Sequence, residues 1–272
     1  MGKAHALIVS FCYLRLPYPL PPRFDIELAF ESSAQALPGA LHAIRMKSED
    51  TWKYWNDKWS WIIDIAKKNQ WLYSDIKILP PVNLEQIEKL ESDLKIFYPK
   101  EFKNVLQKHS AGVIIGWQLD DQEFEGEFRD IFSGAGGVYY QSDKPFIWNF
   151  HELKRIHSDY IGWITDCYND PNDNYGKYYH NKVPFLDVPN GDLIVFNDNG
   201  NVICLSHDDG PLHGKKLADN FEEFITLWSQ VGCVGTESEQ FQVFYDNEKQ
   251  KLIDKSEKID RWINLIENKK SM

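Results

Sequence analysis

The sequence predicts a mixed fold of helices and antiparallel strands, and three observations carry that expectation. Apolar residues recur at helical spacing in six separate stretches. Two Asn-Gly pairs join apolar runs between Val183 and His207, the strongest short-range signal of a hairpin. The chain is also long and apolar enough to bury a core, with 272 residues, 43% hydrophobic and 14% aromatic.

Taken in order, the first clear helix is expected from Ser48-Glu49-Asp50-Thr51, which supply capping groups and early acids, to about Asn69. Trp52, Trp55, Trp59, Ile62, Ile63 and Ala66 form its apolar stripe, and five of the ten tryptophans fall between 52 and 71. Such a stripe reads as a core-packing face, so this helix must bury against something. Pro80-Pro81 ends the region. Asn83 then caps a helix bearing Leu84, Ile87, Leu90 and Leu94, which stops near Phe97-Tyr98-Pro99. Pro99 suits the first turn of the next helix, with Phe102, Val105 and Leu106 on one side. Gly112–Leu119 reads as a strand, Tyr139–Trp148 as short strand pieces, and His151–Tyr168 as mostly helical. Val183–Val188, Asp192–Asn197 and Asn201–His207, separated by Asn190-Gly191 and Asn199-Gly200, make a three-strand antiparallel meander. Both central turn positions are expected at positive φ. Asp219-Asn220 caps a helix with Phe221, Phe224, Ile225 and Trp228, and a last helix spans about 247–268.

The formal charge is −11, and it is uneven: residues 80–240 hold 27 acidic and 13 basic side chains. An acidic protein is a poor grip on phosphate, so direct nucleic-acid binding is not expected. Asp120, Asp121, Glu123, Glu125, Glu127 and Asp130 place six acids around one Arg in eleven residues. That run reads either as a solvated loop or edge strand, or as a lure for a basic partner. No stretch nears the roughly 20 apolar residues of a membrane span. Cys12, Cys167, Cys204 and Cys233 are widely spaced, which suggests neither a zinc site nor a disulfide framework and fits a reducing, cytoplasmic setting. Residues 1–45 are distinct, with Pro17, Pro19, Pro21 and Pro22 crowded together. A signal peptide fits them poorly, because the small-x-small site Ala34-Gln35-Ala36 comes too late. Met46-Lys47-Ser48-Glu49-Asp50 reads as an ordinary N-terminus, so translation is expected to begin there, with 1–45 a poorly ordered or mis-called extension.

The motifs that could carry chemistry are weak. Ser133-Gly134-Ala135-Gly136-Gly137 lacks the Lys-Ser or Lys-Thr of a phosphate loop. Asp170-Pro171-Asn172-Asp173-Asn174 opens like a calcium loop, but has Tyr175 and Asn181 where Gly and Glu are needed. His207-Asp208-Asp209 with His213 could gather a metal, yet the spacing matches no helical His pair. Cys167 near His157 or His180 has nothing to fix a nucleophile–base geometry. No catalytic residue, metal or cofactor is called for.

The order of elements resembles the SUKH superfamily, which groups yeast-type cell-wall assembly regulators with many bacterial immunity proteins. The resemblance rests on Val82 to Glu91 followed by Leu94, Phe97, Pro99 and Phe102, then on Val183–Asp187, Asn190-Gly191-Asp192, Val202, His207-Asp208 and Phe221-Glu222-Glu223-Phe224. Trp228 and Gly232–Glu237 look like the tail of bacterial members. Residues 1–45 and the last helix have no counterpart, and Phe97-Tyr98 stands before Pro99 where a Leu is more usual. The resemblance implies an α+β domain over 80–240, its mixed, largely antiparallel sheet flanked by helices. A Trp-rich helical appendage (46–79) would precede it and a C-terminal amphipathic helix (241–272) follow. It further implies no catalysis and, for bacterial members, neutralisation of a toxin domain, often a nuclease, whose basic surface an acidic domain would occupy. The alternative is a regulatory scaffold. The expected partner contacts are Asp120, Asp121, Glu123, Glu125, Glu127 and Asp130, with Phe124, Phe128 and Tyr139 as aromatic anchors.

Overall fold

A computed structural model describes residues 38–118, 128, 146–235 and 237–268, leaving aside the side chains of 38–48 and 146. The chain divides into two compact units, Met1–Arg45 and Met46–Met272. The acidic positions Asp120, Asp121, Glu123, Glu125, Glu127 and Asp130 lie outside the described residues, as do Phe124 and Tyr139.

Helix α1 (Pro38–Lys68) starts ten residues before the capping signal at Ser48. Proline at a first helical position sacrifices no hydrogen bond, so the backbone can enter the helix there. After the short strands β1 (Leu72–Tyr73) and β2 (Lys77–Leu79) comes α2 (Leu84–Leu94). It opens with a reciprocal capping box between Asn83 and Gln86 and stops at Lys95, whose φ of 58° is left-handed. Helix α3 (Lys100–Lys108) follows Pro99. Buried Glu91 fastens the corner between α2 and α3, accepting the Tyr98 backbone N–H at 2.7 Å and pairing with Lys103 at 3.1 Å.

The strand expected over 112–119 is broken into β3 (Gly112–Ile114) and β4 (Trp117–Gln118). β3 lies between β2 and β5 (Phe146–Asn149), and β4 pairs with β1. Gly112 fits that central place because a Cβ there would sit 2.9 Å from the Trp148 carbonyl oxygen. A turn of 3₁₀ helix (Phe150–Glu152) leads into α4 (Leu153–Asp166).

The meander is present as β6 (Val183–Asp187), β7 (Leu193–Phe196) and β8 (Val202–Leu205), and a fourth strand, β9 (Lys216–Ala218), extends it. Its turns differ from expectation. Only the glycines take positive φ, at 103° for Gly191 and 77° for Gly200, and the backbone bonds from Val188 N–H to the Asp192 carbonyl (2.9 Å) and from Asn197 N–H to the Asn201 carbonyl (3.0 Å) leave three residues inside each turn. The Gly191 N–H bonds to the Val188 carbonyl at 2.8 Å and the Gly200 N–H to the Asn197 carbonyl at 2.9 Å, each a tight turn with glycine as its left-handed exit. All paired strands among the described residues are antiparallel.

Helix α5 (Phe221–Gln230) is capped by Asn220, and the short α6 (Ser238–Gln242) follows. The last helix is shorter than expected: α7 spans Glu257–Asn268, and the residues before it form the hairpin β10 (Tyr245–Asp246) and β11 (Lys251–Leu252). Asp246 turns the chain there, its carboxylate accepting the backbone N–H groups of Glu248 and Lys249 at 2.8 and 3.1 Å.

The core lies on both faces of the four-stranded sheet. Ile194, Phe196, Val202 and Cys204 point to a large cluster with Phe102, Phe221, Phe224 and Trp228. Leu193, Val195, Ile203 and Leu205 point the other way, onto Ile156, Tyr160 and Tyr179. Covered on both faces, β7 and β8 are apolar at every position rather than at alternate ones. The large cluster also takes in Trp55 and Trp59 of α1 and Ile259, Trp262 and Ile266 of α7. Six fully buried indoles each find an acceptor for the ring N–H, among them Trp55 on Thr226 Oγ1, Trp59 on Ser229 Oγ and Trp262 on the Val231 carbonyl.

Candidate functional site

The β7–β8 register sets Leu193 opposite Leu205, so Asp192 and the chain leaving β8 at Ser206-His207 face each other at one end of the sheet. Asp192 is fully buried. One of its oxygens, Oδ1, accepts both the backbone N–H of His207 at 3.0 Å and the ring Nδ1–H at 2.9 Å. That pairing orients the imidazole and assigns its proton to Nδ1. Oδ2 of the same carboxylate is buried without a hydrogen-bond partner. Half-buried His207 lies beside Trp163, ring centres 5.5 Å apart, with its Nε2 3.9 Å from Asp208 Oδ2.

A tyrosine cage holds the loop after β8. Tyr168 donates its hydroxyl to the His207 carbonyl at 2.7 Å, and Tyr179 to the Ser206 carbonyl at 2.9 Å. Tyr175 donates to the same Ser206 carbonyl and its oxygen accepts the Asp209 N–H. Ser206 Oγ donates to Asp208 Oδ1 at 3.0 Å. Burial pushes the Tyr175 phenol up to about 12 and the Tyr179 phenol higher still, so both remain donors. Asp209 completes the turn at φ 65°.

His213 is not part of a metal set with His207. Its Nδ1 accepts the Ser206 backbone N–H at 3.1 Å, its Nε2 lies 3.1 Å from the Tyr175 carbonyl, and its ring stacks on Tyr175 at 3.7 Å. Both nitrogens are occupied, and burial holds its pKa below the usual histidine range. The calcium-like loop is likewise structural, because Asp170 and Asp173 turn their carboxylates onto the backbone N–H groups of Asn172, Tyr175 and Gly176. Cys167 is exposed at the end of α4, while His180 bonds to the Tyr168 carbonyl. No hydrogen bond joins Cys167 to a histidine among the described residues.

Of the expected partner contacts, only Phe128 is described. It is 5% exposed and packs edge-on to Trp262, with ring centres 5.5 Å apart, inside the large core. Among the described residues, Asp166, Asp170, Asp173, Asp208 and Asp209 are exposed acids on the segments that Tyr168 and Tyr175 tie together. A separate groove of about 790 Å³ lies between α6, the β10–β11 hairpin and α7, lined by Glu239, Asp246, Glu248 and Glu257 against Lys258 and Arg261.

With the helix pair, the double-faced meander and the closing helix in this order, the chain matches the SMI1 / KNR4 family (SUKH-1) over residues 81–227. The chain belongs to that family. No curated protein and no solved structure gives a match. The SUKH match begins after α1 and stops within α5, so it contains Asp192, His207 and the tyrosine cage. In the sequence Asp192 stands out only as part of the Asn190-Gly191-Asp192 hairpin motif, whereas His207 and Asp208 already stand out as metal-ligand candidates. The available signal was hairpin symmetry: residues equidistant from an Asn-Gly turn face each other, which pairs the start of β7 with the end of β8. Among the described residues, no helix is long and apolar enough to cross a membrane.

Proposed function

We propose that this SUKH protein is a non-enzymatic binding protein of the cytoplasm, an immunity protein that neutralises a nuclease-type toxin through an acidic surface. The observation that carries the reading is the excess of 27 acidic over 13 basic side chains within 80–240, in a domain of a family that includes toxin-neutralising members. A nuclease must present positive charge to phosphate, and a one-signed acidic surface both steers toward it and competes for it. Asp120, Asp121, Glu123, Glu125, Glu127 and Asp130 are the proposed electrostatic contacts, with Phe124 and Tyr139 as anchors, while Phe128 itself is packed in the core. The exposed aspartates around Tyr168 and Tyr175 add to the acidic balance of the domain.

The test is a tagged pull-down from the native host at low salt, followed by titration of the captured partner's activity. One stoichiometric basic partner whose nuclease activity falls to zero at equimolar protein is the expected result. Neutralising the six acids should then slow association and flatten its salt dependence. Several substoichiometric partners, none of them inhibited, would replace this reading with that of a regulatory scaffold of the cell-wall type, which the family match supports equally.

A further inference from the structure

The pairing of Asp192 with His207 leaves a chemical imbalance. A carboxylate oxygen buried without a hydrogen-bond partner is costly to keep from water. Oδ2 has no hydrogen-bond partner at all. Because His207 directs its Nδ1–H at Asp192, its Nε2 carries the free lone pair, and that atom lies 3.9 Å from Asp208 Oδ2. One ligand atom from each of Asp192, His207 and Asp208 lies within 4.8 Å of the other two.

We propose that His207 Nε2 and the Asp208 carboxylate bind a divalent cation of the zinc class, with Asp192 as the outer carboxylate that orients the ring. Two donors at zinc distances stand about 3.4 Å apart in a tetrahedron, so a shift of roughly half an ångström closes the observed gap. A carboxylate on the far nitrogen of a metal-bound histidine fixes the tautomer and raises its basicity. The cation in turn offsets the charge of Asp192 through the imidazole. An imidazole donor selects zinc-class ions over Mg²⁺ and Ca²⁺. Ser206 Oγ, on the other oxygen of Asp208, and Trp163, against the ring, hold the two ligands in place. The remaining coordination positions face solvent, because Asp208 is 65% exposed. The site is independent of any toxin.

The experiment is calorimetric titration of the chelator-treated full chain with Zn²⁺ alone, repeated with Mg²⁺ and Ca²⁺. One Zn²⁺ site is expected, lost in His207→Ala and weakened at least ten-fold in Asp208→Asn. Asp192→Asn should weaken it by about 10–100-fold, while His151→Ala, at an exposed histidine, leaves it unchanged. Buried Asp192 is a risk to folding, so Asp208→Asn, checked by circular dichroism, is the deciding variant. Absence of Zn²⁺ binding below a Kd on the order of 1 mM would overturn the proposal. So would a Zn²⁺ affinity in His207→Ala or Asp208→Asn unchanged from that of the native protein, or Mg²⁺ binding as tight as Zn²⁺.

Discussion

Replacing Ser229 with alanine would leave the indole N–H of Trp59 without its acceptor in the interior. Both residues are fully buried, and the bond between them is 2.9 Å long. Removing one partner of a buried hydrogen bond costs the desolvation of the group left behind, about 1–3 kcal/mol. For a domain of this size each kcal/mol lowers Tm by roughly 2–4 °C, so Ser229→Ala should lower Tm by about 2–12 °C. Trp59→Phe removes the donor as well as part of the ring. Once the donor is gone, Ser229→Ala costs little more, and the double variant should be more stable than the sum of the singles by about 1–3 kcal/mol. Urea denaturation of the four proteins, followed by far-ultraviolet circular dichroism, measures that coupling. A strictly additive cycle, with Ser229→Ala shifting stability by less than about 0.5 kcal/mol, would refute the docking of α1 against α5 through this pair.

Three further outcomes follow from single contacts. Asn83→Ala removes the capping box of α2 and should cost about 0.5–2 kcal/mol in urea denaturation, with Asn83→Gly costing only a few tenths. Gly214 sits at φ 70° where a Cβ would overlap the Tyr178 ring; Gly214→Ala should destabilise by more than about 1 kcal/mol, partly recovered when Tyr178→Ala is added. Hydrogen bonds from Lys216 and Lys251 hold the Asp219 carboxyl down to about 2 from 3.8. A depressed carboxyl stabilises the fold fully above its unfolded pKa, and that stability is lost as pH falls through the folded one. Thermal melts between about pH 4 and pH 2 should therefore fall more steeply for the native protein than for Asp219→Asn, and parallel profiles would remove the linkage.

Much of the architecture was legible because its signals are local. Asn83 with Gln86, Asn220 before Phe221 and the two Asn-Gly turns act through bonds a few residues long, so α2, α5 and the β6–β8 meander fall where the pattern puts them. The misplaced boundaries have local causes too weak to read alone. Helix α1 runs back through Ser48 because a capping residue inside a helix is tolerated, and α7 begins late because Asp246 turns the preceding segment into a hairpin.

The sequence by itself determined the helix-and-strand class, the acidic balance and the family resemblance, since composition, periodicity and motif order need no knowledge of distant contacts. Tertiary structure alone decided what those elements touch. It put Trp55 and Trp59 into one core with Trp228 and Trp262, and it turned Phe128 inward against Trp262. It closed both nitrogens of His213 and brought buried Asp192 to the ring of His207, fifteen residues away. The physical reason is the same in each case. A residue's periodicity states that a side chain will be buried or paired, but the partner is chosen by packing between segments far apart in the chain, and that choice is written in no single stretch of sequence.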